Sequence, residues 1–431
     1  MQSSSWGNQQ PYAIVIGLDC LQGLQTARIL AHRQVPVIAI AKDPKHHSCR
    51  TRVCEKILFA DTGDEDLVEK LEILGPKFNQ KAVLIPCQDK NVLVISRHRQ
   101  RLEPWYHIVL PRPEVVEMMM DKVSFYSYAR ENGFPVPLMF FLYCKRDAEQ
   151  AATQLVYPCI LKPPFRLRTW SKYTKLKGLV ANSPDEFLAQ YERCCKWSEV
   201  LIVQKLIEGP DVNHYTCNCY FDSRGEPIVT FTSRKLRQWQ PQTGQACLAE
   251  EARNDIVVNE TIRLFRSVNF RGLGYLELKH DEHSGEYFII EPNIGRPTGR
   301  AAMAEAGDVE LLYTMYCEVA GLPIPANRQQ KYERVKWIHL LRDLQAALYH
   351  WRRGELTVKE WWLSVRGHKT YAIFSWSDPL PFLAAMFRAI TVIRSAKEQK
   401  THLWTLNVFK FKNGGLPTPE QSPDRCGEYL K

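Results

Sequence analysis

Gly274-Tyr-Leu-Glu-Leu-Lys-His-Asp-Glu-His-Ser-Gly-Glu-Tyr-Phe-Ile-Ile-Glu-Pro-Asn293 is the stretch on which the reading of this chain turns. Two apolar and aromatic runs flank the polar segment 281–285, a pattern that predicts a β-hairpin with its turn near Ser284. A turn centred there pairs residues whose numbers sum to 568, which sets Glu277 opposite Glu291. Like charges directly opposed in a sheet are destabilising, so strand pairing alone gives no reason for them. A divalent cation between them reverses the sign. Asn293 falls on the same face, because strand side chains alternate. Two carboxylates, an amide oxygen and bound phosphate make the hard oxygen site that Mg²⁺ prefers, with Mn²⁺ as a substitute. The plainer alternative is a surface hairpin with solvated glutamates.

At 431 residues the chain exceeds one ordinary core, so two or three domains are expected. The start has neither a basic nor an apolar signal region, and no uninterrupted apolar run reaches the eighteen residues of a membrane span. Thirteen cysteines without a C-x-x-C pair suit reduced thiols and a cytoplasmic location. His46, His47, Cys49 and Cys54 cluster without a zinc spacing and read as a loop. The net charge of +10 is uneven: residues 326–431 hold 18 Lys and Arg against 9 Asp and Glu, together with six of the eleven tryptophans. No nucleic-acid partner is expected.

Taken in order, apolar runs at 12–16, 35–41 and 82–86 alternate with helical stretches, which predicts a small parallel α/β domain to about residue 111. Its first turn lacks G-x-G-x-x-G, so a dinucleotide site has little support. Lys122 opens a helix and Lys162 ends a strand, each placed either in solvent or on phosphate. The polar, basic segment 165–179, with Arg166, Arg168, Lys172, Lys175 and Lys177, reads as a loop that could serve as a lid. Strands follow at 199–207, 212–221 and 229–239, then a helix at 255–270. After the hairpin, Gly295-Arg-Pro-Thr-Gly-Arg300 leads into one helix from Ala301 to about Val319.

This order of motifs resembles the ATP-grasp superfamily, with carboxylate–amine ligases as its nearest likeness and D-aspartate and D-alanine–D-alanine ligases as more distant relatives. Asp121-Lys122, Leu161-Lys162-Pro163, Gln204 to Asp211, Glu277 and Glu291-Pro-Asn293 carry the resemblance over about 175 residues. It implies an α/β architecture of a Rossmann-like pre-ATP-grasp domain (1–111), a two-lobed α+β ATP-grasp domain (112–325) and a basic, Trp-rich C-terminal extension (326–431). It also implies roles. Lys122 and Lys162 would meet the nucleotide; Gln204, Lys205, Leu206 and Ile207 would line the adenine pocket; Asp211 would hold the ribose. Glu277, Glu291 and Asn293 would bind Mg²⁺. Lys235 would reach the γ-phosphate, and Arg296 and Arg300 would grip an acceptor carboxylate or the transferred phosphate.

The implied reaction joins a small-molecule carboxylate to an amine through an acylphosphate, with release of ADP and phosphate. Amino acids, peptides and sugar acids all fit as substrates. The alternatives are an ATP-binding sensor or assembly factor without turnover and, third, a hydride-transferring enzyme. Segment 164–177 departs from the resemblance in having no glycine, and Gln204 stands where relatives often carry Glu. In the C-terminal quarter, 335–348 reads as continuing into the core. Residues 380–397 read as an amphipathic helix, packed on the catalytic domain or else laid on a membrane surface or an anionic glycan. From Lys410 the composition is that of a disordered tail.

Overall fold

The computed structural model describes residues 10–164, 168–174, 176–241, 244–389 and 391. Strands Ala13–Ile16 (β1), Val37–Ala41 (β2), Lys56–Phe59 (β3), Ala82–Pro86 (β4) and Tyr106–Ile108 (β5) form a parallel sheet in the order β3-β2-β1-β4-β5. The apolar runs of β1, β2 and β4 are buried along their whole length, as central parallel strands must be. β3 and β5 are short, half-exposed edge strands, which is why alternating polarity did not announce them. Helices Leu21–His32 (α1) and Asp89–Arg97 (α2) follow β1 and β4. Helix Lys122–Glu131 (α3) opens where expected, its first turn capped by Asp121, which accepts from the Ser124 N–H at 2.8 Å.

Next, Met139–Leu142 (β6), Cys159–Lys162 (β7), Leu179–Ala181 (β8) and Leu201–Lys205 (β9) form an antiparallel sheet ordered β6-β9-β7-β8. It has its own core, built from residues such as Leu142, Ala151, Phe187 and Val203. Segment 165–179 is not a loop throughout. Helix Arg168–Tyr173 (α4) occupies part of it, because Trp170 buries its ring and donates to the Leu176 carbonyl at 2.8 Å, while Tyr173 stacks on Trp197 at 4.8 Å. The expected basic contacts of Arg166 and Lys175 lie outside the described residues.

The third sheet has seven strands in the order β14-β13-β10-β11-β12-β15-β16: His214–Phe221 (β10), Pro227–Trp239 (β11), Gln245–Glu251 (β12), Gly272–His280 (β13), Tyr287–Ile294 (β14), Lys336–Ile338 (β15) and Lys369–Tyr371 (β16). One apolar core joins its β10, β13 and β14 side chains (Cys217, Leu276, Ile289) to those of the first sheet (Ile14, Leu84). The single helix expected over 301–319 is two, Ala301–Ala306 and Leu311–Val319. Gly307 and Asp308, the latter at φ 58°, break it between them.

β15 and β16 extend this sheet, so residues 336–371 are part of its structure and not an appendage. Helices Leu340–Arg352 (α5) and Val358–Val365 (α6) lie beside it. The anchor is buried Asp343, which accepts from Arg237 Nε of β11 at 2.8 Å and from Trp361 Nε1 of α6 at 3.0 Å. The chain divides after Pro381; in the shorter unit residues 382–389 are helical, while the remainder of the expected helix and the tail lie outside the described residues. Among the described residues no helix is long and apolar enough to cross a membrane.

Asp343→Ala leaves the Arg237 guanidinium buried without its partner. It should lower stability by about 3–5 kcal/mol in chemical denaturation, with Asp343→Asn intermediate.

Candidate active site

The hairpin β13–β14 forms with Glu277 opposite Glu291 and Tyr275 opposite Asn293. A bulge follows at once: Leu278 pairs with Ile289, so Ile290 is the extra residue and twists the strand beside the two carboxylates. Leu276, Leu278 and Ile289 point into the core, and Tyr275, Glu277, Lys279, Glu291 and Asn293 line a cleft of about 790 Å³. Gly272 and Gly295 bracket the hairpin at φ 96° and 69°. A side chain at either would run into Val109 or Leu110 of the segment leaving the first sheet. Both glycines are therefore required by close approach as well as by backbone angle.

Each carboxylate meets cations from a different element. Lys122 Nζ, at the start of α3, lies 3.1 Å from Glu291. Glu277 faces His214, the first residue of β10, at 2.8 Å and buried Lys235 of β11 at 3.7 Å. Burial and then Lys235 push the His214 imidazole down to about 4, so it is neutral at physiological pH. Its Nε2–H donates to Glu277, and its Nδ1 accepts from Lys235 Nζ at 3.1 Å. Burial alone would raise Glu277, but Lys235, His214 and Arg300 together hold it well below the usual carboxylate range. Burial brings Lys235 down to about 8. Burial, reinforced by Lys122, brings Lys162 at the end of β7 down to about 7.

Gln204 of β9 also lines the cleft, and among the described residues its buried Oε1 has no hydrogen-bond partner, leaving an acceptor free for a ligand N–H. Leu206 and Ile207 line the cleft too, although the Leu206 N–H is taken by the Pro158 carbonyl at 2.9 Å. Lys205 is not among the lining residues. Alternation along β9 turns it away from Gln204, and its ammonium pairs with buried Asp281 at 2.7 Å. Asp211 lines the cleft with both oxygens held by Gln238, at 2.9 Å from its N–H and 2.7 Å from Nε2.

The two arginines beyond the hairpin, expected to act as a pair, do different things. Arg296 is buried and engaged at all three nitrogens: Nε donates to Asp89 of α2 at 2.5 Å, Nη1 to the Tyr275 hydroxyl at 2.6 Å and Nη2 to Asn293 Oδ1 at 2.6 Å. It therefore orients Asn293 and ties the hairpin to the first sheet, with three of its five N–H groups taken. Among the described residues the Arg300 side chain makes one hydrogen bond, to Thr216 at 2.8 Å, and its buried Nε has no partner.

Sequence reasoning missed His214 and Asp89. His214 was an ordinary polar position in an alternating strand, and Asp89 lies 207 residues from the arginine it holds. His46 caps a short 3-10 turn, His47–Arg50, and both histidines line the cleft.

Among the described residues no group of three or more His, Cys, Asp or Glu forms a metal site. The two carboxylates and Asn293 Oδ1 fit a hard divalent cation that completes its shell with phosphate and water. The free Gln204 oxygen and the surrounding lysines fit a purine nucleotide.

Arg296→Ala should cost about 2–4 kcal/mol in chemical denaturation, because buried Asn293 and Tyr275 lose a charged donor. Arg300→Ala should stay within about 1 kcal/mol of the parent.

No family model matches the chain. It is 24% identical over 226 residues to D-aspartate ligase from Enterococcus faecium, which covers 50% of this chain and 53% of that one. It is 22% identical over 189 residues to D-alanine–D-alanine ligase from Pseudomonas putida, covering 41% of this chain and 54% of the other. The matches thus span about half the length of these curated relatives. N5-carboxyaminoimidazole synthetase from Staphylococcus aureus superposes with a TM-score of 0.58 at 15% identity, covering 77% of this chain and 82% of that one. Its complex with ADP superposes equally well, at 0.58. The chain has the ATP-grasp fold and resembles the carboxylate–amine ligases built on it.

Proposed function

We propose that the chain is an ATP-dependent ligase that joins a small-molecule carboxylate to an amine. The observation that carries this reading is the single cleft lined by Glu277, Glu291 and Asn293, the cations Lys122, Lys162, Lys235 and Arg300, and the unpartnered Gln204 oxygen. On this reading residues 1–111 are a Rossmann-like pre-ATP-grasp domain, 112–325 the catalytic ATP-grasp domain and 326–431 a basic extension whose first part is woven into the catalytic sheet.

Gln204 accepts from the adenine amino group, while Leu206 and Ile207 pack on the ring. Asp211, steadied by Gln238, accepts from the ribose. The triphosphate lies along Lys122, Lys162 and Lys235. Glu277, Glu291 and Asn293 would hold Mg²⁺, which would supply neutralisation of phosphate charge. Lys122 and Lys235, which face these carboxylates, would then be released toward phosphate oxygens. A substrate carboxylate attacks the γ-phosphoryl group and ADP leaves; the amine displaces phosphate from the acylphosphate, forming the amide and losing a proton. Arg300, with its spare Nε–H, holds the acceptor carboxylate or the transferred phosphate. The side chains contribute mainly alignment and charge neutralisation, as phosphoryl transfer requires.

The reading is tested by an ADP-release screen that crosses carboxylates with amines, with the uncoupled ATPase rate as background. ADP release should rise above background only when both substrates are present. Glu291→Ala should lower kcat by about 10²-fold or more with an unchanged melting temperature. A folded chain that fails to bind Mg-ATP would overturn the assignment.

Lys162 adds a pH signature. Between about pH 7 and 10 the free protein holds it largely neutral, whereas phosphate favours the ammonium form. Nucleotide binding should therefore take up a proton at about pH 8.5 and none at about pH 6. Calorimetry in buffers of different ionisation enthalpy measures this uptake, and Lys162→Arg should reduce it to the share that Lys235, brought down to about 8, contributes.

A further inference from the structure

The C-terminal helices have a second face that the cleft does not use. α5 buries Asp343 and Ala346 toward the sheet, and α6 is held beside it by the Trp361–Asp343 hydrogen bond and buried Val365. Their other sides are apolar and wet. On α5, Leu344, Leu348 and Trp351 recur at four- and three-residue spacing and form one row, with Trp351 56% exposed. On α6, Val358 and Trp362 are one turn apart, with Trp362 57% exposed and Leu363 beside it. A chain that has water on this side does not gain by placing tryptophan and leucine there, so the rows call for a partner.

Charge says which partner. Of the acids on this pair of helices and their turn, Asp343 is bound by Arg237, Glu355 by Arg353 and His350, and Glu360 caps the first turn of α6 through Thr357. Arg352, Lys359 and Arg366 stay exposed, and among the described residues none of them is in an ion pair. Residues 326–431 as a whole are strongly basic, with 18 Lys and Arg against 9 Asp and Glu. Tryptophan and leucine rows edged by unneutralised cations are the composition of a segment that lies in the headgroup layer of an anionic bilayer. Since no helix of the described residues can cross a membrane, contact of this kind is peripheral.

We infer that α5 and α6 form a docking surface for an anionic lipid bilayer. Trp351 and Trp362 enter the interface, and Arg352, Lys359 and Arg366 meet the headgroups. The inference does not depend on the ligase reading.

The test is sedimentation of the full chain with phosphatidylcholine vesicles, with and without phosphatidylglycerol. Phosphatidylglycerol should raise the bound fraction, and added salt should reverse the gain. Trp351→Ser with Trp362→Ser, and separately Arg352→Glu with Lys359→Glu, should each weaken partitioning by about tenfold or more. All four side chains are exposed, so the variants should melt with the parent. Glu291→Ala should bind vesicles as the parent does, which separates failure of the docking surface from failure of the cleft. No binding to either vesicle would overturn the proposal, as would binding that the variants leave unchanged. Self-association that the tryptophan variants disperse, without vesicle binding, would assign the face to a second copy of the chain instead.

Discussion

Two carboxylates facing each other across adjacent strands are the constraint that the rest of this molecule answers. Glu277 and Glu291 repel, and the hairpin that carries them is otherwise a well-packed apolar ribbon. Relief comes from three directions: Lys122 from the start of a helix, Lys235 from a neighbouring strand, and neutral His214 as a hydrogen-bond donor. The neutrality of His214 is part of the same balance. A charged imidazole pressed against Lys235 would replace one repulsion by another. The neutral ring instead accepts from the lysine on one side and donates to the glutamate on the other. The carboxylate pair is thus tolerated because the cations around it are shared between its two members.

The hairpin register was legible in the sequence because strands have a period of two and the turn sits between two long apolar runs. The bulge at Ile290 was not, and it is what brings Glu291 opposite Glu277: pairs on its turn side sum to 567, and the extra residue moves the sum to 568. Central strands β1, β2 and β4 were legible for the same reason that they are central: they are apolar on both faces. β3, β5, β15 and β16 are short and lie at or near sheet edges, where pairing is decided by neighbours distant in sequence. The lid segment was misread in part because its arginines and lysines outnumber its aromatics, whereas two buried or stacked rings, Trp170 and Tyr173, decide its local structure.

The arginine pair shows most clearly what a sequence withholds. Arg296 and Arg300 sit four residues apart in one polar loop, and nothing local distinguishes them. The difference lies in Asp89, Tyr275 and Asn293 bonded to the first and, among the described residues, in Thr216 bonded to the second side chain. A guanidinium has five N–H groups in a fixed fork, so its role follows from how many are already spoken for. Arg296 has become a brace, and Arg300 keeps capacity for a ligand.

That brace also decides which parts of the cleft are stiff. Arg296 to Asp89, the Gly272 and Gly295 contacts with Val109 and Leu110, and a shared apolar core lock the hairpin to the first sheet. The metal-type donors therefore sit on a floor that cannot shift without repacking two sheets at once. The antiparallel sheet β6–β9, which supplies Lys162 and Gln204, is built differently. Most of its core is its own, but Met139 and Phe141 of β6 pack into the core beneath the hairpin, and the end of β9 is linked to it by Lys205 to Asp281 at 2.7 Å and Lys279 to the Ile207 carbonyl at 2.7 Å. The two carboxylates thus stand on a core shared by two sheets, while Lys162 and Gln204 stand on a sheet whose core is mostly its own and meets the shared one through β6.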